Sequence, residues 1–151
     1  MLNNWFYFLL SIILAAAVAF AYTRYSREYY KSSTKVLINS DNESSAAKAA
    51  DILFGRGVRI VIITIGDQGV YYKTSDENGF VPAFKINSID TTSAGDAFNG
   101  AFASCISKKM SLNDSVRFGC AAGALAVSKK GVQDSMPYSN DIDLFMENYC
   151  E

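Results

Sequence analysis

The sequence predicts an α/β fold, one part of a three-layer α/β/α domain, preceded by a hydrophobic helix. Three observations predict it. A run of β-branched residues over 58–65 lacks alternation, as a strand buried on both faces of a parallel-type sheet does. Glycine-punctuated strand signals follow it, and then come small-residue helices. Residues 5–22 are apolar throughout except Ser11, with no charge and no proline. At 1.5 Å rise, roughly 20 such residues cross a bilayer core, so this segment reads as a membrane helix.

Arg24, Arg27 and Lys31 follow the apolar run, and nothing basic precedes it. That asymmetry places the C-terminal side in the cytoplasm. A missing basic n-region argues against a cleaved signal peptide, although Ala19-Phe20-Ala21 imitates a cleavage site. The expected division is residues 1–35, a hydrophobic helix with a basic linker, and residues 36–151, one α/β unit. The alternative for the first segment is an unrelated stretch joined to a truncated gene product.

Within the second unit, residues 41–57 place Ala46, Ala49, Ala50, Leu53 and Phe54 on one helical face, ended by Gly55 and Gly57. Residues 58–65 form the first strand, 66–69 a turn, 70–73 a strand, 75–79 a turn and 80–86 a last strand. Pro82 puts that last strand at an edge, because proline cannot donate to a ladder. Helices are expected over 95–108, 112–129 and 139–148, the second with Val116, Cys120, Gly123, Ala124 and Val127 close to one stripe.

Composition narrows the chemistry. The 151 residues carry a net charge of −1, which offers no electrostatic footprint for nucleic acid. Cys105, Cys120 and Cys150 are odd in number and lack metal-type spacing, so they read as small core residues of a reducing compartment. With no histidine in the chain, a Ser-His-Asp triad is excluded. A general base must be a carboxylate, lysine, tyrosine or cysteine.

Residues 90–100 read Asp-Thr-Thr-Ser-Ala-Gly-Asp-Ala-Phe-Asn-Gly. Small residues directly before a helix let backbone N–H groups face an anion at the helix N-terminus. Asp96 falls in the first turn beside that hole, where a carboxylate is favoured and can accept a proton. An anion cradle with an adjacent base is minimal equipment for phosphoryl transfer to an alcohol. The alternative is an ordinary helix capped by Ser93.

This stretch resembles the C-terminal motif of the ribokinase-like (PfkB) sugar kinases, Asp-Thr-x-Gly/Ala-Ala-Gly-Asp-x-Phe-x-Gly-Ala. Two further segments match in order: Thr64-Ile-Gly-Asp-Gln-Gly-Val70 upstream, and residues 121–137, containing Ser128-Lys-Lys-Gly-Val-Gln-Asp-Ser-Met-Pro137, downstream. The resemblance covers residues 38–151 and is greatest to ribokinases. It implies the C-terminal half of a ribokinase-like α/β/α fold and ATP-dependent phosphorylation of a sugar primary hydroxyl, ribose giving ribose 5-phosphate. Mg²⁺ and possible K⁺ would be the cofactors.

By the same resemblance, Asp96 is the catalytic base and touches the sugar, and Ser93, Ala94 and Gly95 form the anion hole. ATP would meet Thr64, Ile65, Gly66, Asp67, Gln68 and Gly69, then Gly95, Asp96 and Cys120. Cys120 stands where ribokinases usually carry His or Asn, and helix packing is its alternative. K⁺ would take oxygens of Asp90, Thr92, Ala126, Lys129, Gly131 and Ser135, as suits a large hard cation. The alternative there is a helix C-terminus closed by Gly131. The 64–69 segment taken alone, without the resemblance, reads as an ordinary glycine-containing hairpin turn.

The family's Gly-Gly sugar motif, lid strands and Asn-x-x-Glu motif have no counterpart ahead of the matched region, and Asn39–Glu43 does not replace the last of these. Several strands of the parallel sheet are therefore expected to be missing, leaving an apolar edge on residues 58–65. The chain alone is expected to lack sugar kinase activity. Expected partners are ATP and a sugar, with a membrane, a homo-oligomer or a complementary N-terminal half. The rival from another class is a non-catalytic, membrane-tethered nucleotide-binding or assembly module.

Overall fold

The computed structural model describes residues 42–149, together with Ala15 alone from the N-terminal stretch. The chain divides into two compact units, Met1–Val36 and Leu37–Glu151, and every element below belongs to the second. The expected membrane helix at residues 5–22 lies outside the described residues. Among the described residues no helix is long and apolar enough to cross a membrane.

Seven elements follow in order: α1 (Glu43–Gly55), β1 (Val61–Thr64), β2 (Gly69–Lys73), β3 (Asn78–Pro82), α2 (Ala94–Ser107), α3 (Leu112–Val127) and α4 (Ser139–Tyr149). Asn42 caps α1, its side chain accepting from the Ser45 N–H at 2.9 Å. Ser111 caps α3 in the same way, accepting from the Asp114 N–H at 3.1 Å. Both helices thus satisfy one of the donors that a helix start leaves without an internal partner.

The sheet has the order β1-β2-β3, and both pairings are antiparallel. Thr64 faces Val70 across the first hairpin, and Lys73 faces Asn78 across the second. The strand expected over 58–65 is corrected in length and burial, and among the described residues it has no parallel partner. The strand is shorter, Val58 and Ile60 are 41% and 53% exposed, and β1 runs antiparallel to β2. A β-branched run reports burial, not direction; direction is set by the tight turn that follows.

Burial splits along the two faces of the sheet. Val61, Ile63, Ile65 and Tyr71 pack with Ala46 and Ala50 of α1, supported by Ala49, Leu53 and Phe54. Val70, Tyr72 and Val81 pack the other way, against Phe98 of α2 with Val116 and Cys120 of α3. Helix, sheet and helix pair therefore form three layers, the α/β/α arrangement expected. The helical face read from residues 41–57 is the one that packs on the sheet.

Among the described residues β3 pairs with β2 alone and ends at Pro82, so the proline lies on an edge strand there. The strand expected to reach residue 86 stops four residues early, with one further bond from the Ala83 N–H to the Gln68 carbonyl at 3.0 Å just beyond Pro82. On the opposite side β1 has no strand beyond it among the described residues, and Ile52, Val58 and Ile60 are exposed near that margin. α4 closes the third layer. Its Phe145 and Tyr149 stack edge-on or tilted around Phe84, and the Tyr149 hydroxyl accepts from the Lys85 N–H at 2.9 Å.

Candidate active site

The turn before α2 is built by side chains. Asp90 accepts from the Thr92 N–H at 3.0 Å and from the Thr92 hydroxyl through one carboxylate oxygen. Its other oxygen accepts from the Gly131 N–H at 3.4 Å. These hydrogen bonds, first those of Thr92 and then that of Gly131, hold the Asp90 carboxyl below its ordinary pKa, and Lys130 adds to the effect. The backbone joins the same two segments, since the Ile89 and Asp90 N–H groups both donate to the Val127 carbonyl, at 2.7 and 3.2 Å.

A third link is buried. Ser93 and Ser135 are 1% and 0% exposed, and their hydroxyl oxygens lie 2.7 Å apart. Asp90, Thr92, Gly131 and Ser135, predicted together as oxygen donors, thus stand in one network of two loops. Lys129 is exposed at the C-terminal end of α3, and its N–H donates to the Ala126 carbonyl at 3.3 Å. The set is rich in oxygen and contains a carboxylate, which suits a hard monovalent cation. Among the described residues no cluster of three or more His, Cys, Asp and Glu side chains is present.

Ser93 occupies the cap position of α2, yet its side chain makes no capping hydrogen bond. The reading of an ordinary Ser93-capped helix is therefore corrected: its hydroxyl is engaged with Ser135 instead. Ala94 and Gly95 are half-buried and Asp96 is exposed in the first helical turn. The Gly95 and Asp96 N–H groups have no helical carbonyl ahead of them and remain aligned with the positive end of the helix. Asp96 also stands on a cleft of about 260 Å³ bounded by α2, α3 and α4, with Ala97, Phe118, Met136 and Ile142 among its walls.

Two glycines of α3 set this turn in place. A methyl group at Gly119 would come within 2.7 Å of the Phe98 ring, and one at Gly123 within 3.3 Å of the Ala94 carbonyl oxygen. The first turn of α2 rests on these bare positions. Sequence reasoning took Gly123 for part of a packing stripe and passed over Gly119. Their spacing of four residues on one helix face was the available signal for a close helix approach.

The other matched loop joins β1 to β2. Ile65 donates to the Gly69 carbonyl at 2.7 Å and Gln68 donates to the Ile65 carbonyl at 3.1 Å, closing a tight turn. Gly69 has φ +139, and any Cβ there would meet the Val81 carbonyl oxygen at 2.1 Å. Thr64, Gly66, Asp67 and Gln68 are exposed, while Ile65 and Gly69 are buried. The expected hairpin turn is thus present, at the carboxyl end of β1. Cys120 is placed differently from the rest of the set. It is packed with Val70, Tyr72, Val81, Phe98 and Val116, and burial pushes its thiol up to about 12. Its alternative reading, helix packing, describes what the structure shows. Cys105 is likewise free and buried; Cys150 lies outside the described residues.

Comparison with known proteins agrees with this geometry. The family described as pfkB family carbohydrate kinase matches residues 32–138, and the chain belongs to that family. It is 38% identical to a ribokinase of Haemophilus influenzae over 107 residues, 71% of this chain and 35% of that protein. It is 39% identical to fructokinase-1 of Zea mays over 92 residues, 56% of this chain and 28% of that one. The chain thus spans about a third of the length of the curated relatives it matches. Among solved structures, Thermotoga maritima ribokinase superposes with a TM-score of 0.65 at 40% identity, covering 67% of this chain and 34% of that one. Arabidopsis thaliana ribokinase complexed with ribose and ATP gives 0.67 at 27% identity, covering 71% and 35%. Phosphofructokinase-2 of Escherichia coli in complex with potassium gives 0.64 at 26% identity, covering 73% and 35%.

Proposed function

We propose that this chain carries the ATP-binding and phosphoryl-transferring part of an ATP-dependent sugar kinase, with D-ribose as acceptor, giving D-ribose 5-phosphate and ADP. The observation that carries the reading is the uncapped start of α2 with Asp96 in its first turn. Asp96 takes the proton from the primary hydroxyl of the sugar, whose oxygen then attacks the γ-phosphorus as ADP departs. The N–H groups of the turn at Ser93, Ala94 and Gly95 stabilise the charge that develops on the transferring group. Thr64 to Gly69 hold the nucleotide, at the carboxyl end of a strand, where open α/β sheets bind ligands. Cys120 is left out of that set because its thiol belongs to the core.

Ribose is favoured over fructose because ribokinases stand among the relatives with the longest matched segments. Mg²⁺ would be carried on the nucleotide phosphates and would neutralise charge on the transferring group. A K⁺ ion would be held by Asp90, Thr92, Ala126, Lys129, Gly131 and Ser135, and the potassium-bound relative supports that reading. The site works in the cytoplasm, where ATP is.

The sugar-orienting motifs have no counterpart in these residues, so the test adds the complementary part. The full chain is mixed with a polypeptide carrying the first two thirds of a ribokinase, and ATP-dependent ribose phosphorylation is followed. Asp96→Asn should lower turnover by about 10²–10⁴-fold, the usual worth of a positioned base, while ATP binding persists. Near-normal turnover by that variant would remove Asp96 from its role. A second reading is a non-catalytic nucleotide-binding module tethered through residues 5–22. Carbonate extraction that leaves the chain in the membrane fraction, with no phosphorylation after complementation, would select it.

A further inference from the structure

We infer that Tyr149 and Phe84 form a clasp through which the C-terminal helix α4 helps to position the nucleotide phosphates, by holding the segment that ties the 65–69 loop to the 90–96 turn. That segment, residues 83–89, belongs to no helix or strand. Backbone bonds anchor both of its ends. The Ala83 N–H donates to the Gln68 carbonyl at 3.0 Å. The Ile89 N–H donates to the Val127 carbonyl at 2.7 Å, which the Asp90 N–H shares. Between these ends the Lys85 N–H donates to the Tyr149 hydroxyl at 2.9 Å. Helix α4 thus supplies an anchor between two loops that must grip one chain of phosphates.

Packing reinforces the bond. The Phe84 ring meets Tyr149 edge-on with centroids 4.8 Å apart, and Phe145 at 5.2 Å. Phe84 also packs against two clusters of the core, one containing Phe98 and the other Ala97, both close to Asp96 on α2. The segment, α4 and the start of α2 are therefore joined around one ring. An irregular stretch keeps its backbone freedom unless something fixes it. With the Tyr149 hydroxyl gone, residues 83–89 would have to be ordered as ATP draws the two loops onto its phosphates, and binding would bear that cost. Adenosine carries no phosphates and would escape it. The consequence for ATP rests on the proposed function, but the clasp itself does not.

The test is Tyr149→Phe in the full chain, which removes the hydroxyl and keeps the ring on Phe84. Tyr149 is 45% exposed, so the fold tolerates the change. MgATP affinity should fall about threefold to fivefold, the worth of one hydrogen bond, with adenosine affinity unchanged. Coupling is reciprocal, so saturating MgATP should slow amide exchange at the Lys85 N–H of the unaltered chain by a similar factor. A merely structural bond would lower the melting temperature and leave the ratio of the two affinities as it was. An unchanged ratio, or exchange at Lys85 indifferent to MgATP, overturns the positioning role. A chain that binds no MgATP overturns the proposed function instead, and the clasp is then read without ligand. Tyr149→Phe should in that case speed exchange at Ala83 and Ile89 together with Lys85. Speeding confined to Lys85 would overturn the clasp.

Discussion

The loop at residues 65–69 and the turn at residues 90–96 are both assigned to the nucleotide phosphates, yet they are made by different means. The first carries a frame of backbone bonds: two turn hydrogen bonds, a link from the Ala83 N–H to the Gln68 carbonyl at 3.0 Å, and positive φ at Gly66 and Gly69. The second is shaped by side chains, with Asp90, Thr92, Ser93 and Ser135 forming its bonds. A loop of the first kind resists change most at its glycines. One of the second kind is open to single deletions of a hydroxyl or a carboxylate, each of which leaves a partner unmatched.

Substitutions in the two loops are expected to differ in the size of their effects. Asp96→Asn, in the complemented assay above, is the largest and acts on rate alone. Gly69→Ala comes next, because it adds a strained φ to a collision with the Val81 carbonyl oxygen at 2.1 Å. We expect it to cost about 3 kcal/mol in a denaturant titration; a loss under about 0.5 kcal/mol would show that the loop is not held as described. Gly119→Ala should cost about 1–3 kcal/mol, as the Phe98 ring is forced to move, and should also weaken ATP binding by shifting the α2 turn. Destabilisation with unchanged ATP affinity would separate helix packing from the site.

Asp90 gives a smaller, pH-dependent effect. Its folded-state carboxyl is depressed, so its contribution is present above the ordinary carboxylate range and disappears as pH falls through the depressed folded value. Melting temperature should therefore be level from neutral pH down to about 5 and fall below about 4. In Asp90→Asn the acid-side slope should be shallower; an identical slope would mean that Asp90 is not a source of it. Asp67→Ala should be the least of all, within about 0.5 kcal/mol, since Asp67 is an exposed residue in a backbone-built loop. A large loss there would erase the contrast.

The difference also decides what could be read from the sequence. Helix α1 was legible because its Ala46, Ala50, Leu53 and Phe54 face is periodic and its end carries glycines. The 90–96 turn was legible because its chemistry lies in adjacent side chains. The start of β1 was not, since Val58 and Ile60 continue the β-branched run yet stand exposed ahead of the strand. Cys120 was ambiguous because a stripe residue on α3 can face a ligand or the core, and only packing against Val70, Tyr72 and Phe98 decides. The Ser93–Ser135 pair spans 42 residues of sequence, and no local pattern announces such a contact. Gly119 was missed because a glycine in a helix signals close approach only when the neighbouring helix is known.

Phosphate recognition by the start of α2 is tested by calorimetric titration of the full chain with MgATP and, separately, with adenosine. Saturable binding of one MgATP per chain is predicted, at least about tenfold tighter than adenosine, as aligned N–H donors and a helix dipole favour the anionic ligand. Equal affinities for the two ligands, or no saturable binding of MgATP, would contradict it.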